Sequence, residues 1–562
     1  VTPLSPAYRA ETLRKLAGEE VDVLVVGGGV TGAGVALDAA SRGLSTALVE
    51  ARDFAAGTSS RSSKLIHGGL RYLEQLDFKL VREALKERGL LLQKLAPHLV
   101  RPVKFLVPLQ HRVWERGYIG AGVTLYDTLG GAKALPRHRH LSRRGAFKEA
   151  PGLADDALIG AIQYYDAQVD DARHTMTIAR TAAEQGASIL TRARVTSLLR
   201  DGDRVAGAKV LDRESGIEFE IRARTVVAAT GVWSDDMAAA AGIPAPFTVR
   251  ASKGIHLVVP REKIDLGTGL ILRTEKSVLF VIPWGRHWIV GTTDTEWDLD
   301  REHPAASRAD VDYVLDHLNA VLRTPVTHDD IEGVYAGLRP LLAAKAAATT
   351  KLSREHAVAH PVPGLVIVAG GKYTTYRVMA ADAVDVAVED VGRPAPPSWT
   401  DRLPIVGAEG YHELWEDRFG VAAKAGLPLT RVEHLLQRYG TRIWNLLELI
   451  EQDPSLAAPI TETSEYLRVE AVYAVSHEGA LHLEDVLTRR TRISIEERDR
   501  GVAAAPVVAE LMAPLLGWDT HRTDREVANY LARVEAERSA QEAPDDAAAN
   551  ATRLAAPALL PS

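Results

Sequence analysis

Residues 21–50, VDVLVVGGGVTGAGVALDAASRGLSTALVE, decide the fold. Val21 to Val26 is a short apolar run rich in β-branched residues, the pattern of a strand buried on both faces in a parallel sheet. It feeds into Gly27-Gly28-Gly29-Val30-Thr31-Gly32, which satisfies the G-x-G-x-x-G spacing. A helical pattern follows to about Arg42, then a second strand from Ser45 to Val49, then Glu50. Each glycine has its own task in such a corner: Gly27 permits the tight turn, Gly29 lets the backbone approach a pyrophosphate, and Gly32 lets helix and strand pack closely. The helix N-terminus adds N–H groups and the positive end of its dipole. Glu50, 18 residues beyond Gly32, stands where a carboxylate binds a ribose hydroxyl. An acid there disfavours a 2′-phosphorylated dinucleotide and leaves FAD and NAD open.

The 562 residues suffice for a large core and two or three domains. With 46% hydrophobic and 25% charged residues the composition is that of a globular protein. A net charge of −7 gives no basic footprint for nucleic acid. The absence of cysteine removes disulfides, thiolate metal sites, iron–sulfur clusters and thiol catalysis together. No metal-ligand spacing or HExxH occurs, and GGGVTGAG lacks the ending of a Walker A loop, so no metal is expected. The first twenty residues lack the apolar core of a signal peptide. No apolar run reaches the length of a spanning helix; Val502 to Trp518 is broken by Pro506, Glu510 and Pro514. The expectation is a protein that is soluble or sits on a membrane surface.

Along the chain, residues 1–20 read as an N-terminal arm. The loop after Glu50 is polar and glycine-bearing, and helix is expected from about Phe78 to Ala96. Residues 101–145 are biased to basic side chains interleaved with apolar ones. RVAGAKVLD and GIEFEIRA flank a turn at Glu214 to Gly216 and predict a β-meander. IHLVVP, SVLFVIPW and HWIVGTTD predict a separate antiparallel sheet over about 245–300. After Pro404 the pattern is helical to about Glu537, and the Ala/Pro-rich remainder from about Ser539 is expected to be disordered. Asp545 and Asp546 fall in that tail and receive no chemical role.

Two further strand–glycine corners occur, at Ala229-Thr230-Gly231 and Gly370-Gly371-Lys372. One extended cofactor lying across the sheet explains all three, its pyrophosphate on the first corner and its ring system reaching the third. A helix starting near Tyr373 would direct its dipole at the ring, which suits FAD better than NAD.

Eight strings carry a resemblance: SSKLIHGGLRYLE (62–74), VDDARHTM (169–176), ATGVWSD (229–235), SKGIHLVVP (252–260), FVIPW (280–284), VGTTDTE (290–296), AGLRP (336–340) and GGKYTTYR (370–377). In this order, over about residues 20–390, they resemble the FAD-dependent glycerol-3-phosphate dehydrogenases, respiratory enzymes of the glycine-oxidase-like flavoprotein superfamily. The resemblance implies an α/β fold, α+β overall, with a Rossmann-like FAD-binding domain, an antiparallel-sheet substrate domain and a helical C-terminal cap. It divides the chain into an arm (1–20), an oxidoreductase region (21–400), a helical domain (401–538) and a tail (539–562). Within the second, segments 21–75, 155–240 and 364–390 are expected to bind FAD, and 76–154 and 241–363 to form the substrate domain.

The implied reaction is oxidation of sn-glycerol 3-phosphate to dihydroxyacetone phosphate, with hydride transfer to non-covalent FAD and electrons passing to a membrane quinone. The implied place is the inner face of the cytoplasmic membrane, peripherally attached, and a homodimer is compatible with it. A phosphate dianion needs cations and an alcohol needs a nearby base. Arg71 and Tyr72 are expected to bind substrate oxygens, and Arg339 and Lys372 to hold substrate near the flavin. His256 is the candidate base, with Arg339 the alternative group at the developing alkoxide. Thr58, Ser59, Ser62, Ser63 and Lys64 form a hydroxyl-rich loop suited to cofactor phosphate and ribitol, and His67 is read as packing or hydrogen bonding near the ring. Thr230 and Gly231 belong at the adenosine side, and Gly370 and Gly371 at the third corner. Asp170, Asp171 and Arg173 are read as an ion-pair and capping network, and Asp294 equally as structural. Tyr373 departs from the family pattern, which carries a smaller aliphatic residue there. Two other readings stand beside this one: a glycerol-3-phosphate oxidase that passes electrons to oxygen, and a flavin-binding protein without turnover.

Overall fold

A computed structural model describes residues 3–69, 77–111, 114–130, 135–275, 278–343, 356–558 and residue 560. Strand Val21–Val26 lies at the centre of a parallel array whose order is Leu365–Gly370, Ile217–Ala228, Val21–Val26, Thr46–Val49 and Ser188–Leu190. Its six residues are all buried, as a strand covered on both faces requires. Val23 and Val25 pack into one core with helices Val30–Ser41, Asp171–Glu184 and Tyr376–Val391. Leu24 and Val26 face the other way, into a core with the meander Ala193–Asp201, Arg204–Asp212 and Ile217–Ala228. The last meander strand continues into the parallel array, so one strand serves both.

The second sheet, ten strands among the described residues, runs from Thr295–Glu296 through Val249–Pro260, His287–Gly291, Val278–Trp284, Gly269–Arg273, Val100–Leu109 and Gly160–Val169 to Leu65–Ile66. Gly333–Leu342 pairs beside Val249–Pro260 and Arg139–Ser142 beside Gly160–Val169. It is antiparallel except where Gly269–Arg273 runs parallel to Val100–Leu109. The expected segment boundaries shift here. Leu65–Ile66 and Gly160–Val169, read as cofactor-domain sequence, belong to this sheet, while His356–Val362, read as substrate-domain sequence, edges the parallel one. Strand pairing decides such membership, and local periodicity carries no record of the partner.

Beyond residue 404 helices follow one another, as expected, and bury two cores of their own. They are joined to the rest by buried charge. Asp170 caps helix Asp171–Glu184 through the Arg173 N–H, and Arg492 of the helical domain grips both Asp170 (2.6 Å) and Asp171 (2.5 Å). Arg173 reaches Glu478 at 2.9 Å, and Asp53, three residues past Glu50, is held by Arg489 (2.5 Å) and Arg490 (2.7 Å). The Asp170–Asp171–Arg173 group is thus a capping and ion-pair network, but its partners come from far along the chain rather than from its neighbours.

Two terminal expectations are revised. The arm contains a helix, Pro6–Gly18, whose Leu16 is buried and whose Tyr8 hydroxyl donates to the Ala187 carbonyl. The tail is ordered: helix Thr520–Glu542 runs on past Ser539, and Asp545 caps a further helix, Asp546–Leu554. Asp546 meets the buried Lys253 ammonium, which also pairs with Asp310 at 2.5 Å. Tertiary docking supplies what the low-hydrophobicity composition lacked. The basic stretch 101–145 is partly spent internally: Arg101 donates to the Gln437 carbonyl, Lys104 pairs with Glu149, and Arg116 donates to the Leu141 carbonyl. Arg137, Arg139 and Arg144 stay exposed, as do Tyr118 and Leu125 on helix Trp114–Gly130. Arg112 and Lys133 lie outside the described residues. Among the described residues no helix is long and apolar enough to cross a membrane.

The helical domain carries an acid-sensitive element. Burial alone would raise Glu470, but His434 and Arg438 beside it more than reverse this and hold it at about 2 against an ordinary 4.5. A carboxylate depressed on folding stabilises the fold above its unfolded value and ceases to do so as pH falls through the folded one. Unfolding free energy is therefore expected to drop by on the order of 3 kcal/mol between pH 4.5 and 2 from this group. Denaturant melts across that window should flatten in Glu470→Gln; an unchanged slope would remove Glu470 from the account.

Candidate active site

The three corners sit together at the carboxyl ends of the parallel strands. Gly27 has φ +112°, and a Cβ there would stand 2.6 Å from the Ala229 carbonyl oxygen, so the first two corners touch because side chains are missing. At Gly32 a Cβ would overlap the Gly27 carbonyl. The Gly28 N–H donates to Glu50 Oε2 at 2.6 Å and the Arg52 N–H to Oε1 at 2.8 Å, which aims the carboxylate. Ser59 Oγ accepts the Val30 N–H at 2.9 Å at the start of the first-corner helix. Lys372 precedes a 3₁₀ turn, Tyr373–Thr375, and helix Tyr376–Val391.

One cavity of about 510 Å³ spans all three corners. Of the residues given a binding or catalytic role from the sequence, all line it except four. Gly32 acts beneath it as the contact just described. Arg71 and Tyr72 lie outside the described residues. Lys64 is the correction: its side chain is fully buried, its ammonium 2.8 Å from Asp171 and 3.1 Å from the Ser60 carbonyl. Successive loop residues point oppositely, so Ser63 meets His256 while Lys64 secures the loop from behind. Asp171 completes that anchor by accepting both the Ser62 N–H (3.0 Å) and the Ser62 hydroxyl (2.7 Å).

The second sheet supplies the polar groups opposite. His256 and Tyr335 are cross-strand partners, and their rings stack at 4.8 Å. His256 Nε2 is 2.8 Å from Ser63 Oγ, while its buried Nδ1 has no hydrogen-bond partner. Burial first, then Arg339 and Lys64, push the imidazole well below its usual range, so it is neutral near pH 7. Arg339 donates to Thr292 Oγ1 at 3.0 Å and to the Thr293 carbonyl at 3.2 Å, with Asp294 at 3.6 Å, so Asp294 acts structurally. The Tyr373 hydroxyl donates to the Asp171 carbonyl at 2.8 Å, tying the third corner to the capped helix. His67 and Thr374 bracket each other through the His67 N–H and the Thr374 hydroxyl.

Sequence reasoning missed several lining residues: Arg52, Arg61, Arg194 and Trp233. Trp233 stood inside the quoted ATGVWSD and Arg61 inside the hydroxyl-rich loop, where a lone charge among serines was a signal passed over. Arg52 lies 5.6 Å over the Trp233 ring. Arg194 sits on a meander strand with no local mark.

The glycine cradle, the buried and unpartnered Thr230 Oγ1 and a cavity reaching from first corner to third fit an extended dinucleotide better than a compact one. Such a cavity, faced by an imidazole and a guanidinium on a second sheet, defines a flavin-dependent oxidoreductase. The comparisons agree. Residues 22–377 match the family model described as FAD dependent oxidoreductase, and residues 398–523 that of the C-terminal domain of alpha-glycerophosphate oxidase. Glycerol-3-phosphate dehydrogenase 2 of Mycobacterium tuberculosis is 60% identical over 554 residues, 99% of this chain and 95% of that one. The human mitochondrial glycerol-3-phosphate dehydrogenase is 36% identical over 93% of this chain and 74% of its own. The solved glycerol-3-phosphate dehydrogenase from Bacillus halodurans complexed with FAD matches with a TM-score of 0.78 at 28% identity, covering 95% and 97% of the two chains. The chain belongs to the FAD-dependent glycerol-3-phosphate dehydrogenase family, and its cofactor is non-covalently bound FAD.

Because the Gly32 contact leaves no room for a methyl group, Gly32→Ala is expected to weaken FAD binding on the order of a hundredfold, ~3 kcal/mol. Flavin content per purified folded chain measures this; a fully yellow variant would show that the corner yields.

Proposed function

We propose that the chain oxidises sn-glycerol 3-phosphate to dihydroxyacetone phosphate and passes the electrons to a membrane quinone while attached peripherally to the inner face of the cytoplasmic membrane. The observation that carries the chemistry is His256, a neutral, buried imidazole with an unpartnered Nδ1 on the wall of the cofactor cavity. When bound, FAD supplies the acceptor for the two electrons and the hydrogen that leave C2 of the substrate. The protein's residues do the rest. In the tautomer whose Nε2–H donates to Ser63 Oγ, 2.8 Å away, the Nδ1 lone pair is left to take the substrate hydroxyl proton. Arg339 and Lys372 supply positive charge for the phosphate and for the oxygen that becomes anionic as the proton leaves. Arg71 and Tyr72 add substrate contacts from the GGLRYLE segment. Glu50 takes the adenosine ribose, Thr58, Ser59, Ser62 and Ser63 the phosphate and ribitol side, and Thr230 and Gly231 the adenosine side. Exposed Tyr118, Leu125, Arg139 and Arg144 support a membrane-facing surface in residues 101–145.

Anaerobic mixing of the yellow protein with sn-glycerol 3-phosphate should bleach the flavin band at about 450 nm. No bleaching with FAD fully bound would refute the substrate. Reoxidation by a quinone analogue without peroxide supports the dehydrogenase; fast oxygen consumption with stoichiometric peroxide supports the oxidase instead.

His256→Ala is expected to lower kcat/KM roughly 10²–10⁴-fold, the usual contribution of a positioned base. Protonation inactivates a base, and this one lies below its usual range, so kcat of the unmutated enzyme at saturating substrate should stay level down through pH 6.5 and fall only at lower pH. An acid limb at or above pH 6.5 would assign the proton to another group.

A further inference from the structure

A second, smaller cavity of about 60 Å³ lies where the cofactor loop, the second sheet and the last two helices meet. Arg61 lines both it and the cofactor cavity. Arg533 and Arg553 enter from helices Thr520–Glu542 and Asp546–Leu554, and His303, Thr488, Ser494 and Gln541 add polar groups to the wall.

The charges there do not balance. Glu537, the carboxylate on the wall, already takes Arg533 Nε at 3.0 Å and Arg553 Nε at 3.4 Å. Glu484, behind the wall, is shared between Arg489 at 3.2 Å and Arg533 at 4.0 Å. Arg492 is engaged by Asp170 and Asp171. Arg61 has no carboxylate within 4.0 Å among the described residues; its guanidinium donates to the Glu302 carbonyl at 3.5 Å, which Arg52 also uses. Burial first, then Arg52, bring Arg61 down to about 9. Burial first, then Arg553 and Arg52, bring His303 down to about 3, so near pH 7 it is a neutral imidazole on the wall. Ser494 is 7% exposed and its Oγ has no hydrogen-bond partner. A buried hydroxyl left unbonded costs stability, which a ligand at that point would recover.

We propose that this cavity is an oxyanion site, taking inorganic phosphate or the phosphoryl end of a small phosphate ester between Arg61, Arg553 and Ser494. About 60 Å³ admits one tetrahedral oxyanion or roughly four to six waters at about 10–15 Å³ each, but water satisfies only Ser494 and leaves the guanidinium excess. The bound anion links the last helix to Arg61 and so to the cofactor loop, coupling an oxyanion pool to the stability of the FAD-loaded state. The site is separate from Arg339 and Lys372 and does not depend on the proposed reaction.

The test uses the FAD-loaded full chain, titrated with sodium phosphate against sodium chloride at equal ionic strength, with binding read by calorimetry and by the thermal midpoint. The expected result is a saturable phosphate-specific rise in midpoint, retained in Lys372→Met, lost in Arg553→Gln and weakened roughly tenfold in half-saturation in Ser494→Ala. Ser494→Ala removes no bond seen in the structure, so it stays informative if Arg553→Gln does not fold. Repeating the titration with glycerol 2-phosphate separates the sources: comparable affinity assigns the site to phosphoryl groups generally, weaker affinity to free phosphate. No phosphate effect beyond chloride, or an effect lost in Lys372→Met and kept in Ser494→Ala, would overturn the proposal.

Discussion

Asp171 is the constraint on which the rest depends. Its carboxylate is fully buried and binds Lys64, Arg492 and both donors of Ser62. Removing such a charge from water costs several kcal/mol, recovered only when every partner is in place. One side chain therefore requires the cofactor loop, the capped helix and the helical domain to be assembled together. Asp53 imposes the same condition beside Glu50, through Arg489 and Arg490. The helical domain thus acts as a clamp on the loop that carries Ser59 and Ser63.

That clamp explains how a loop can hold chemistry. Ser63 Oγ stands 2.8 Å from His256 Nε2, and a free loop would lose that geometry to conformational entropy. Here Ser62 is bound on both its donors and Lys64 is locked behind it, so Ser63 has little freedom left. His256 is constrained from the other side by its stack on Tyr335, whose hydroxyl donates to the Ser62 carbonyl at 3.0 Å. Two sheets with separate cores are made to converge on one imidazole.

Much of this was legible in the chain. Gly27, Gly29 and Gly32 announced themselves because their backbone geometry excludes side chains, a local property that spacing records. The apolar run of Val21–Val26 marked a strand covered on both faces, and the later corners repeated the form. Other features left no local trace. Lys64 read as one more polar loop residue until its partner, 107 positions away, turned it from the cavity. Arg194 reaches the cavity wall through folding alone. The tail past Ser539 had a composition typical of disorder, and its helix is held through Lys253, a strand residue nearly three hundred positions earlier.

By itself the sequence determined the dinucleotide corner, the alternation of parallel and antiparallel segments, the family and many of the polar residues on the cavity wall, because these rest on periodicity, on glycine and on short-range spacing. The tertiary structure decided which strands belong to which sheet, where Lys64 and Arg61 point, that His256 is neutral and that the last helices are ordered. Those depend on burial and on charges meeting across hundreds of residues, and the electrostatic energy of a side chain is set by its neighbours in space rather than along the chain.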